Sequence, residues 1–239
     1  MKYLFRVNRI VKAYISLKPI QLSIRQLSIS SVKMSEPSGY TFDADVLKAR
    51  KSDFPIHPML LSRTSPREMT GQEMTDEELM GLFEAARWAP SHYNLQPWRF
   101  VYAKPKTEEW DKFMDLLWPL NKEWIKNASA MVVVISNRFH LHQGKKTQIP
   151  SHSYDAGAAW MSIALEGTAR GFVVHGVGGF DYDKAYQVLE VPKESHNIDA
   201  MIIIGKPHPK DKRKKENITQ RNPTKNYVFK GVFVNNDKI

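Results

Sequence analysis

The sequence predicts an α+β domain, and three observations carry that prediction. Segments with a helical repeat alternate with short β-branched segments, but without the regular strand–helix–strand rhythm of a parallel sheet. Two of the apolar runs, "AMVVVIS" (130–136) and "DAMIIIGKP" (199–207), read as strands buried on both faces. The third observation is "SYDAGAAWMSIALEGTARG" (153–171), a long stretch lined with small residues and closed by Gly171. It reads as a central helix, with glycine at its C′ position. No internal repeat is visible.

The elements follow in order. Residues 35–60 are polar and carry four prolines or glycines, which predicts an irregular lead-in with one short helix near Asp43 to Lys51. "SRTSPREMTG" (62–71) reads as a loop. "TDEELMGLFEAARWA" (75–89) is a well-marked helix: Thr75 and Glu78 have capping-box spacing, and Leu79, Leu82, Phe83 and Ala86 recur on one face. Three acids in its first turn suit the helix dipole. Pro90 ends it, because proline disfavours a helical residue before it. "WRFVYA" (98–103) predicts a strand and "TEEWDKFMDLLWPL" (107–120) a helix. The polar, His-rich residues 137–152 predict an exposed loop. "FVVHGVGGF" is a strand entering a Gly-rich turn, and a short helix follows over 182–190. "KDKRKK" (210–215) reads as a solvated charge run, and "NYVFKGVFVN" as an extended tail.

The chain has 239 residues and a formal charge of +10. Residues 1–34 hold Lys2, Arg6, Arg9, Lys12, Lys18, Arg25 and Lys33 with no acid, so the charge of the remainder falls to +3. The basicity therefore belongs to the N-terminus, which weakens a nucleic-acid reading. The segment 1–34 is basic, acid-free and rich in serine, the composition of a mitochondrial transit peptide. Met34 offers an alternative start for a cytosolic form. A solvated basic tail or a membrane-surface helix is the competing reading. Residues 35–239 are then a single domain. No run approaches the roughly 20 apolar residues that cross a bilayer. With no cysteine, thiolate chemistry, iron–sulfur clusters and Cys-based zinc sites are excluded. Redox chemistry would need a bound organic cofactor or a metal site without Cys.

His140, His142 and His152 lack metal-ligand spacing. "GVGGFD" lacks the third glycine of a dinucleotide fingerprint, and Asp199 lies before the next strand rather than at its end. The glycines still allow a backbone to lie flat against a ligand, and a plain tight turn is the alternative. Arg63 and Arg67 flank Ser65 in "RTSPR", a set suited to a phosphate.

Taken in order, these pieces resemble the FMN-dependent nitroreductase family. "EAARWAPSHYNLQPWRF" (84–100) is similar to its most recognisable signature, and "RTSPR", "YDAGAAWMSIALEGTARGF", "GVGGFD" and "QRNPTKNYVFKGVF" resemble further elements of it. The resemblance implies a central mixed or antiparallel sheet flanked by helices, with the long helix at a homodimer interface. It implies FMN as cofactor and NADH or NADPH as electron donor. Chemistry would be carried by the flavin, with no catalytic side chain, and a small-molecule acceptor such as a nitroaromatic or quinone would be reduced by ping-pong turnover. A reductive dehalogenase of the same fold and a non-catalytic flavin module are the alternatives. Residue by residue, it implies that Arg63, Ser65 and Arg67 hold the FMN phosphate and ribityl chain, with Arg221 as a second clamp. Pro90, Ser91 and Asn94 would reach the flavin of the other subunit, with Gln96 supporting their loop. Asn121 would bond the ribityl or pyrimidine side, and Gly178 and Gly179 would face the reactive ring edge. Trp124 stands where several members carry a lysine, and Lys122 is a candidate substitute. Trp118, Trp124 and Phe139 either line the open flavin face or pack in the core.

Overall fold

In a computed structural model, residues 42–212 and 218–235 are described. The expectations for residues 1–34, and for most of the basic run after Lys212, lie outside them. Four strands form one antiparallel sheet in the order β1 (Trp98–Ala103), β2 (Ala130–Asn137), β6 (His196–Gly205) and β5 (Val173–Val177). A separate hairpin pairs β3 (Phe139–His142) with β4 (Lys145–Gln148).

Helices cover both faces of the sheet. Because successive strand residues point to opposite faces, β2 sends Ala130, Val132 and Val134 one way and Met131, Val133 and Ile135 the other. The first set packs with Leu79, Leu82 and Ala86 of α3 (Asp76–Arg87) and with Ala156, Ala159 and Ile163 of α6 (His152–Ala169). The second packs with Trp110, Phe113 and Leu116 of α4 (Glu108–Leu116), Ile125 of α5 (Pro119–Ile125) and Ala185 of α7 (Tyr182–Val188). Two-sided burial is thus the reason these strands read as unbroken apolar runs.

The capping box of α3 is formed: Glu78 N donates to Thr75 Oγ1 at 3.1 Å, and Thr75 N to Glu78 Oε2 at 2.8 Å. Gly171 follows α6 with φ 76°, as a C′ glycine should. The early helix near residue 43 is α1 (Ala44–Ala49), capped by Asp43, and a further short helix, α2 (Pro58–Ser62), precedes the arginine loop.

Four expectations are corrected. The helix expected over 107–120 stops at Leu116; Trp118 is extended (ψ 148°) ahead of Pro119, which opens α5. Residues 137–152 are not all loop, since β3 and β4 pair around Gln143–Gly144, both with positive φ. Asp199 lies inside β6, at a bulge where Ile198 and Ala200 face the consecutive residues Ile135 and Val134. The tail expected to be extended over 226–235 forms no strand: Asn226 closes a short turn, Thr224–Asn226, and the chain bends at 230–232.

That tail docks beside the lead-in. Thr224 donates from its amide (2.7 Å) and hydroxyl (2.8 Å) to Asp53, and Gln220 Nε2 donates to Ala49 O at 2.8 Å. Residues far apart in sequence meet there. No helix among the described residues is long and apolar enough to cross a membrane.

Candidate functional site

Two neighbouring sets of residues form the site, both built around the loop Arg63–Arg67. The first is a cationic cleft of about 340 Å³ between the segment after α1, α2, Met161 of α6 and residues 219–227. Three arginines line it: Arg50 just after α1, Arg63 just after α2, and Arg221 on the C-terminal segment. Arg63 donates to Ser65 Oγ at 3.1 Å and to Thr64 O at 3.0 Å. Arg50 spans the loop from below, with one Nη at 2.6 Å from both Leu61 O and Arg63 O. Arg221 turns onto Thr219 Oγ1 and Gln220 O.

These charges are not balanced. Among the described residues no carboxylate forms an ion pair with Arg50, Arg63 or Arg221, and Asp53, the acid of the cleft, is bonded to Thr224. Burial pushes the Arg50 and Arg63 guanidinium pKa values below their ordinary range. The Arg221 charge lowers both further, and Arg63 adds to the effect on Arg50. The Nε of Arg50 is buried without a partner. A buried donor in a like-charged cluster is costly unless an anion completes it. A phosphate group has the charge and the acceptor oxygens to do so.

The second set runs from the same loop to the end of β5. His175 on β5 pins the loop through Nδ1, 2.9 Å from Pro66 O, and its ring lies 4.8 Å from that of Trp124. The Arg67 guanidinium sits 5.9 Å from the Trp124 ring centroid. Trp124 Nε1 donates to Asn121 Oδ1 at 3.2 Å, and Asn121 Nδ2 donates to Gly179 O at 2.9 Å. A Cβ on Gly179 would stand 2.5 Å from Asn121 Nδ2, so glycine is required for this approach. Gly178 beside it is exposed, with Tyr182 Oη 3.8 Å from where its Cβ would stand.

Of the sequence-predicted residues, Arg63 and Arg221 therefore line one cleft, with Ser65 bonded to Arg63, while Arg67, Asn121 and Gly179 meet in one contact chain with Gly178 at its end. Asn121 spends both ends of its amide on protein partners and acts as a clamp between α5 and the glycine turn. Lys122 points elsewhere, 3.7 Å from Asp115, and the cation beside Trp124 is Arg67. Trp118 is exposed, Trp124 packs partly on the core, and Phe139 lies under Lys146 of the hairpin. Two residues escaped the sequence reading, Arg50 and His175. Neither carries a local signal, since each acts on a segment distant in sequence.

Pro90, Ser91, Asn94 and Gln96 lie apart, at the N-terminal end of α6. His92 N donates to the buried Asp155 at 3.0 Å, and Gln96 N to Ser91 Oγ at 3.0 Å. Tyr93, Asn94 and Gln96 all have positive φ, a conformation that costs of order 1 kcal/mol or more per non-glycine residue. Trp88, Tyr93 and Tyr154 stand exposed around this loop. His152 bonds Ser136 at 2.8 Å, and among the described residues no group of three or more His, Cys, Asp or Glu could hold a metal.

Comparison with known proteins agrees with this architecture. A model of the Nitroreductase family matches residues 60–138. An oxygen-insensitive NADPH nitroreductase of Helicobacter pylori is 31% identical over 166 residues, covering 56% of this chain and 78% of the relative. A crystal structure described as an oxidoreductase containing FMN is 38% identical, with a TM-score of 0.72 over 78% of this chain and 97% of the other. A nitroreductase family protein from Clostridium difficile shares the fold at 18% identity and a TM-score of 0.58, over 73% and 97% of the two chains. With the family model matched over residues 60–138 and a relative 31% identical over 78% of its length, the chain belongs to the nitroreductase family.

Proposed function

We propose that the protein is an NAD(P)H-dependent FMN oxidoreductase that reduces a small-molecule acceptor, a nitroaromatic, quinone or similar compound, by ping-pong turnover. The observation that carries this reading is the convergence of Arg50, Arg63 and Arg221 from three segments, none of them ion-paired with a carboxylate among the described residues and only Asp53 beside them. It calls for a strongly anionic ligand, and the site extends from there along Arg67 to a bare glycine turn. FMN fits both ends, a dianionic phosphate and a flat ring.

Arg63, Ser65 and Arg221 would hold the phosphate, with Arg50 fixing the loop beneath. Arg67 would place positive charge near the ring, where it stabilises electron density gained on reduction. Gly178 and Gly179 would present backbone to the ring edge, since no side chain intervenes. When bound, FMN supplies the two-electron chemistry that this Cys-free chain lacks. Pro90, Ser91, Asn94 and Gln96 would reach the cofactor of a second copy in a homodimer, the long α6 forming part of the contact. Their distance from the cleft along α6 supports that reading, as do the exposed aromatics around them. Residues 1–34 would direct the chain to mitochondria, with initiation at Met34 giving a cytosolic form. Import of a fluorescent fusion with and without these residues tests that separately.

The functional test is reconstitution. The protein loaded with FMN is mixed anaerobically with NADH or NADPH, and flavin absorbance is followed before an acceptor is added. Bleaching by a nicotinamide donor and recovery on adding a quinone or nitroarene are the expected results. A protein that takes up no FMN, or whose bound FMN neither donor bleaches, would contradict the reading.

A further inference from the structure

The Gly178–Gly179 turn is bare on one side, and one hydroxyl stands where a side chain would. The nearest atom to the position of a Cβ on Gly178 is Tyr182 Oη, at 3.8 Å. The phenol is held there from two directions. Its ring stacks on Phe180, with centroids 4.1 Å apart and planes 28° apart, and Phe180 is fully buried. Its backbone opens α7, whose cap is closed by Lys184 N donating to Asp181 at 2.9 Å. The hydroxyl itself is only weakly engaged, 3.5 Å from Asp199 O, at the outer limit of a hydrogen bond.

Asp199 completes the setting. The bulge in β6 lies at this residue. Its Oδ1 accepts from Ser153 at 2.6 Å and Asn197 at 2.7 Å, while Oδ2 is buried without a partner. Burial, and then the Asp199 charge, push the Tyr182 phenol above its ordinary pKa, so it remains a neutral donor. On the other side of the turn, Trp118 N donates to Gly179 O at 3.2 Å, and the residue is 60% exposed. Trp118 and Tyr182 line one shallow groove.

We propose that Tyr182 is an acceptor-binding residue, whose hydroxyl donates a hydrogen bond to the oxygen of a planar nitroarene or quinone lying over the Gly178–Gly179 peptide beside Trp118. This rests on the flavin-facing role assigned above to the two glycines. A nitro or quinone oxygen gathers negative charge as it is reduced, so a fixed donor there binds more strongly as the reaction proceeds. Tyr182 keeps its proton throughout, and the proton taken up in each turnover comes from solvent.

The test uses the oxidised FMN-loaded protein without any nicotinamide donor, so that binding is read and not turnover. Nitrobenzene and toluene, two rings of similar size of which only the first has acceptor oxygens, are titrated against the flavin absorbance of wild type and Tyr182→Phe. FMN content is compared first, to show that the variant folds and keeps its cofactor. The expected result is a loss of about five- to tenfold in nitrobenzene affinity, one modest hydrogen bond, with toluene unchanged. An unchanged nitrobenzene affinity overturns the proposal. So does an equal loss for both rings, which would assign the effect to shape. Failure of wild type to be bleached by NADH or NADPH would instead overturn the proposed function, and the titrations would still be readable.

Discussion

Three arginines facing one another make a poor apo protein and a good anion site. Arg63→Ala is expected to lose FMN, and Arg221→Gln to weaken it about tenfold or more, as loss of a charge-assisted contact does. Equilibrium dialysis measures both. The same Arg221→Gln change relieves repulsion on Arg50 and Arg63, so the apo protein's melting temperature should hold or rise while cofactor is lost. A lower apo melting temperature would show that Arg221 stabilises the fold in its own right. Tyr182 makes a second case. Its raised pKa means that the fold favours the neutral phenol, a preference present below about pH 10 and lost as pH rises through the folded value. Asp199→Asn should lower that pKa, seen as an earlier rise in tyrosinate absorbance than in wild type, with Tyr182→Phe identifying the signal. At this scale the sequence was legible where chemistry clusters locally. Arg63, Ser65 and Arg67 share one short loop and could be read together. Arg50 could not, because a lone arginine after a short helix gives no hint that its partners lie 11 and more residues away.

Among the elements, α6 owes its place to small residues. Gly167 of α6 faces Val174 of β5 so closely that a Cβ would collide with Val174 Cγ2. Gly167→Ala should destabilise the protein by about 1–3 kcal/mol in chemical denaturation, the range for overpacking, even though alanine is the better helix former. Adding Val174→Ala should recover part of that loss. No recovery would mean that the helix and strand can separate without strain. The elements that could be read from sequence were those where period and capping agree. The helix α3 had both a box and a face, and β2 was apolar at every position from Ala130 to Ile135. Misreadings came where local chemistry outweighed pattern. Pro119 breaks the helical run for the reason that was applied to Pro90, since the residue before each proline resists the helix. The hairpin of β3 and β4 left no periodic trace because most of its side chains, all of those on β4, are in solvent; its only mark was the Gln143–Gly144 pair that turns it.

For the whole molecule, the exposed Trp88, Tyr93 and Tyr154 surround a loop with three residues at positive φ. Such a surface gains from a second copy, and stability should then follow mass action. The melting temperature is expected to fall on dilution across the range where light scattering shows dimer giving way to monomer. A melting temperature independent of concentration would argue for a stable monomer. The arginine cleft carries a different consequence. Its members come from both ends of the described fold: Arg50 and Arg63 early, Arg221 late. An anion gripped by all three ties these ends together and closes nearly the whole intervening chain into a loop. Cross-links of long loops act largely by restricting the unfolded chain, and in secreted proteins disulfides do that work. This protein has no cysteine with which to make one. Its cofactor would serve as a removable staple, fastening the chain when it arrives and releasing it when it leaves.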